Sequence, residues 1–105
     1  MQFNLRNTDK GPPSDDSLAQ LARDAETLEE ERKTRLEGFL QRLEVLDTKV
    51  ARRVLETFGD RAKAAYWLGK ALRQFGDLSS YEMLAQGKRL EVLEALARID
   101  NGFFA

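Results

Sequence analysis

The 105-residue sequence has no cysteine and no histidine. Disulfides, thiol nucleophiles and zinc sites built on cysteine or histidine are therefore excluded. So is any Ser–His or Cys–His catalytic arrangement. Pairs of carboxylates remain, but without the side chain that most often carries protons at neutral pH. An enzyme is not expected, and no cofactor or metal site is read. There is no apolar run near the ~18–20 residues that span a bilayer, and no basic-then-apolar leader at the start. A soluble protein of the cytoplasm, with no membrane partner, is the default expectation. The net charge is only −1, so no global field steers the chain toward nucleic acid.

Proline is nearly absent too, and both prolines, Pro12 and Pro13, fall in residues 1–14. That stretch, MQFNLRNTDKGPPS, reads as a flexible or extended tail. Phe3 and Leu5 alternate with polar neighbours, so a short strand formed with a partner is the other reading of it. What the rest of the chain has in quantity is charge: 33% of residues are charged and 42% hydrophobic. That surplus suits long solvated helix faces. Residues 1–46 carry 7 basic and 10 acidic groups; residues 47–105 carry 10 and 8.

From Ser14 onward helical periodicity takes over. Leu18, Leu21, Ala25 and Leu28 recur at spacings of three and four, a narrow stripe suited to a coiled-coil seam or a helical hairpin. Glu29 to Arg35 is wholly polar, and a second stripe, Leu36, Phe39, Leu40 and Leu43 extending to Leu46, is out of register with the first. This phase shift favours two helices over one, with Thr34 and Glu37 at capping-box spacing at the break. Asp47 or Thr48 can cap a following helix with Val50, Val54, Leu55 and Phe58 inward. Gly59 suits its end, and Asp60 can cap the next. That helix carries Ala64, Trp67 and Leu68, and either stops at Gly69 or runs on to Phe75. Ser79 and Glu82 form another capping box before a short helix ending at Gly87. A last helix, about Lys88 to Asp100, carries Leu90, Val92, Leu93, Leu96 and Ile99 around much of its circumference. No segment alternates with period two for long enough to make a sheet. The expected fold is all-α: a small helical bundle with an N-terminal extended tail and a coiled-coil-like or hairpin segment. Its divisions are a tail (1–14), an N-terminal helical region for oligomerisation or DNA contact (15–46), and a C-terminal helical domain (47–105).

Three segments of that last domain, FGDRAKAAYWL (Phe58–Leu68), SSYEMLAQG (Ser79–Gly87) and VLEALARIDNGFFA (Val92–Ala105), resemble the toxin-binding C-terminal domain of Xre/ParS/MbcA-type antitoxins. The corresponding positions are Phe58, Gly59, Ala64, Trp67, Leu68, Leu84, Gly87, Val92, Leu96, Ile99 and Gly102. The resemblance implies a binding protein that blocks the active-site cleft of a RES-like, NAD-degrading toxin with its own C-terminal segment. It also implies a homo-oligomer that binds DNA, although residues 15–46 show a leucine stripe where family members usually carry a helix-turn-helix-like region.

Candidate contact residues follow. Two adjacent phenylalanines at the end of the sequence are costly to leave in water, since burial of each gives about 1.5–3 kcal/mol. Asn101, Gly102, Phe103, Phe104 and Ala105 are accordingly the candidate plug, with folding back onto the last helix as the plainer reading. Trp67 shares a face with Ala64 and Leu68 and is expected in the core. Its neighbour Tyr66 points about 100° away, which makes it the more exposed ring and a candidate toxin contact. Lys49, Arg52 and Arg53 are candidate DNA contacts, or simply a solvated face beside Glu56. The alternatives to an antitoxin are a DNA-binding repressor without a toxin and a coiled-coil adaptor.

Overall fold

The computed structural model describes residues 15–102. The tail of residues 1–14, with Phe3 and Leu5, and the residues Phe103, Phe104 and Ala105 lie outside the described residues. Among the described residues there are helices and no strand, as the periodicity requires: α1 (Asp15–Leu46), α2 (Thr48–Phe58), α3 (Arg61–Gly69), α4 (Ser80–Ala85) and α5 (Arg89–Asp100).

The first departure from expectation is α1, which is one helix of 32 residues with no break in the polar run. The reason lies in that run's composition. Glu29–Arg35 is built largely of strong helix formers, and Glu29–Lys33 and Glu31–Arg35 have the favourable acid-before-base spacing of four. The Thr34–Glu37 pair therefore caps nothing. An out-of-register stripe needs a break only when both stripes must face the same core.

The chain divides into two compact units, residues 1–32 and 33–105. In the first, every described side chain is exposed, including Leu18 (50%), Leu21 (64%), Ala25 and Leu28 (67%). The turns there are held by helix bonds and local side-chain contacts, Gln20 Nε2 donating to Asp24 at 2.8 Å and Arg23 donating to Gln20 Oε1 at 2.8 Å.

The second unit holds the core. Leu40 and Leu43 of α1 join Val50, Ala51 and Val54 of α2, Ala64, Ala65, Trp67 and Leu68 of α3, Met83 of α4, and Val92, Ala95 and Leu96 of α5. α2 packs against α3 and α5, and α4 against the same two helices. Trp67 is buried between Phe58 and Phe75, with ring centroids 5.7 and 6.3 Å away, so it is a core residue as its spacing suggests. Caps set the boundaries. The Asp47 side chain accepts from Val50 N and that of Asp60 from Lys63 N; Ser79 and Glu82 complete a reciprocal capping box. α3 stops at Gly69 and does not reach Phe75. The chain instead turns through a short 3-10 segment, Arg73–Phe75, flanked by a single bridge between Leu72 and Leu78. Gly69 serves a close approach: a Cβ there would lie 2.6 Å from Leu36 Cδ2.

Two apolar stripes are buried only in part. Leu90 is exposed because the buried face of α5 follows Val92, Ala95 and Leu96, and Leu90, in the first turn, falls outside that arc. In α1, Leu40 and Leu43 are buried while Phe39 and Leu46 are not, because five apolar positions spread over more of the circumference than the other helices cover.

Candidate functional site

Lys49 and, one helical turn later on α2, Arg52 and Arg53 line a groove of about 350 Å³ together with Glu56 and with Leu93 of α5. The packing of α2 on α5 thus gathers the three basic residues beside the last helix. Arg53 does more than line the groove. Its guanidinium donates to and pairs with Asp100, the last residue of α5, across 47 positions of sequence. Both side chains are about one-third exposed, so the pair is a positioning contact at the surface and contributes little stability. Glu56 shares the groove with the cations, so its lining is mixed in sign.

Beyond Asp100, Asn101 N–H donates to the carbonyls of Ala97 and Arg98, and Gly102 N–H donates to Ile99, closing the helix. Gly102 then takes φ +92°, a conformation open to glycine and strained for other residues. The helix therefore ends at Gly102, two residues after the Asp100 that pairs with Arg53. Of the proposed plug, Asn101 and Gly102 lie at this point and are exposed; Phe103, Phe104 and Ala105 lie outside the described residues. Tyr66 is exposed on α3, with the Lys70 ammonium 5.8 Å from its ring centroid, and lines neither this groove nor the next.

A second groove, of about 290 Å³, is almost wholly apolar. Phe39, Arg42, Leu43 and Leu46 of α1 and Tyr81 of α4 form it. Phe39 and Tyr81 meet edge to face with centroids 6.0 Å apart. Burial pushes the Tyr81 hydroxyl up to about 12, so it stays protonated, and it has no hydrogen-bond partner among the described residues. Arg42 forms no ion pair among the described residues. Sequence reasoning placed Phe39 and Leu46 on an apolar stripe without saying what covers it, and so missed this surface. The signal was there in the width of that stripe.

Among the described residues no three acidic side chains gather into a set that could hold a metal ion, and no helix is long and apolar enough to cross a membrane. The described surface includes these two grooves and the helix end that Arg53 and Asp100 join. In comparison with known proteins, the chain matches no family model, no curated protein and no solved structure.

Proposed function

We propose that this chain is the antitoxin of a bacterial toxin–antitoxin pair. It neutralises a RES-like, NAD-degrading toxin in the cytoplasm by occluding the active-site cleft with residues Asn101–Ala105. The resemblance of residues 47–105 to the toxin-binding domain of Xre/ParS/MbcA-type antitoxins supplies the partner's identity. The observation that carries the mechanism is the end of α5: Asp100 pairs with Arg53, and Gly102 takes a positive φ directly after the helix. A plug presented from a fixed point loses less freedom on docking than one on a loose helix end, and so inhibits at lower concentration. Tyr66, exposed on α3, adds contact area to the docked domain. Copies of the chain associate through the exposed leucine stripe of α1.

The test is a titration of purified RES-like toxin with the full chain, following NAD and complex formation together. Inhibition that saturates with binding supports the reading; binding without inhibition, or neither, removes it. A second reading, a DNA-binding repressor, draws on Lys49 and Arg52 in the α2 groove. A gel-shift titration of the chain's own upstream DNA against an Arg52→Glu variant tests it, and equal affinity for both proteins eliminates that surface.

A further inference from the structure

Among the described residues, two of the uncovered apolar surfaces complement each other. One is convex: Leu18, Leu21, Ala25 and Leu28 on α1, the three leucines 50–67% exposed. The other is concave: the groove of Phe39, Leu43, Leu46 and Tyr81, with Phe39 43% and Leu46 78% exposed. The stripe covers eleven residues, about 15 Å of helix, and Phe39 to Leu46 covers about 10 Å, so the groove can take about two-thirds of the stripe.

Charge chooses between the ways of covering them. In a heptad starting at Leu18, Asp24 and Glu31 flank one side of the stripe and Glu29 the other. Residues 15–32 hold seven acidic and two basic side chains. Pairing stripe with stripe sets acid against acid: Asp24 faces Glu29 of the other copy in a parallel pair, and like flanks meet in an antiparallel one. A stripe of two heptads is also shorter than the three or four that sustain a coiled coil alone. The groove offers the opposite sign. Arg42 lines it, without a carboxylate partner among the described residues, and Arg35 precedes it on the same helix.

We propose that two copies of the chain exchange these surfaces, the acidic leucine stripe of each lying in the Phe39–Leu46–Tyr81 groove of the other. The contact is made twice about a two-fold axis, so the assembly closes as a dimer. This names the surfaces behind the association stated above and rests on that part of the proposed function alone; its test contains no toxin, so inhibition stands or falls separately.

The experiment is sedimentation of the full chain and of two kinds of variant. Leu21→Lys with Leu28→Lys breaks the stripe; Leu46→Glu, or Phe39→Glu as a second choice, breaks the groove. All four side chains are exposed, and circular dichroism checks that each variant keeps its helices. The parent is expected at twice its 12.0 kDa chain mass, and each variant to dimerise roughly tenfold or more weakly. The decisive arm mixes the two variants. A stripe-broken chain has an intact groove and a groove-broken chain an intact stripe, so the mixture regains one contact and forms more dimer than either alone. A monomeric parent overturns the proposal. So does a groove variant that dimerises like the parent, or a mixture with no gain, which is the behaviour of stripe-on-stripe pairing.

Discussion

Asp47 and Arg89, 42 positions apart in sequence, join the start of α2 to the start of α5: Arg89 Nε donates to Asp47 Oδ2 at 2.7 Å and Nη2 to Oδ1 at 3.0 Å. The same carboxylate caps α2 by accepting from Val50 N at 3.2 Å. The Arg89 guanidinium, helped by that backbone bond, holds the Asp47 carboxyl below its ordinary value of 3.8 against the opposing effect of burial. In the unfolded chain Asp47 takes up its proton first. Its contribution to stability is therefore complete above about pH 4 and is lost as pH falls through the lowered native value. Asp47→Ala should cost about 0.5–2 kcal/mol at neutral pH through loss of the cap alone. Asp47→Asn keeps an acceptor for Val50 and should flatten the acid limb of stability against pH. Urea melts at neutral pH and at pH 3 for the three proteins check both; parallel acid limbs for parent and Asp47→Asn contradict the assignment.

Trp67 links three elements through Phe58 and Phe75, and its indole is buried. Trp67→Ala should cost about 3–5 kcal/mol, the usual effect of deleting a large buried aromatic. That is much of the stability of a typical domain, so the variant should unfold at markedly lower temperature. A thermal melt superimposable on the parent's would show that the ring packs less than its burial implies.

Gly69 should accept a methyl only at a modest cost. A Cβ there would meet Leu36 Cδ2, the mobile end of a half-buried side chain, so Gly69→Ala is expected to be destabilising by about 1 kcal/mol, at the low end of overpacking. Leu36→Ala in the same chain removes the obstacle. The added cost of Gly69→Ala should then shrink or vanish in a double-mutant cycle; simple additivity would mean that the two residues are not in contact.

The Arg53–Asp100 pair separates stability from positioning. As a surface ion pair it should contribute about 0–1 kcal/mol, so Asp100→Ala should leave the melting temperature nearly unchanged. The same change frees the end of α5 and should raise the antitoxin concentration needed for half-inhibition. Unchanged inhibition with unchanged stability would show that the pair does not position the plug.

Much of the fold is legible because its boundaries are written in local chemistry. Asp60, Ser79 with Glu82, and Gly59 each act within a turn of their own position, and each ends or begins a helix where its type suggests. Asp47 resolves the choice with Thr48 because its carboxylate reaches Val50, while Thr48 Oγ1 instead donates back to the Glu44 carbonyl at 2.7 Å. Periodicity is less informative, since it says which residues share a face and not what covers the face. Leu21 and Leu28 have the spacing of a seam yet stand exposed, and Leu90 belongs to an apolar run yet lies outside the buried arc. The site was legible only in part. Lys49, Arg52 and Arg53 are neighbours in sequence and remain neighbours in the groove. That Arg53 reaches Asp100 depends on how α2 and α5 pack, which no local pattern encodes.

The central claim is occlusion by the C-terminal segment, and NAD consumption by a purified RES-like toxin tests it most directly. The full chain is set beside one lacking residues 102–105, with binding of each measured in parallel. Both should bind, because docking draws on the folded surface of the helical domain, but only the full chain should stop NAD loss. Complete inhibition by the shortened chain at saturation would contradict the plug, and a full chain that binds the toxin while NAD loss continues would contradict the antitoxin reading as a whole.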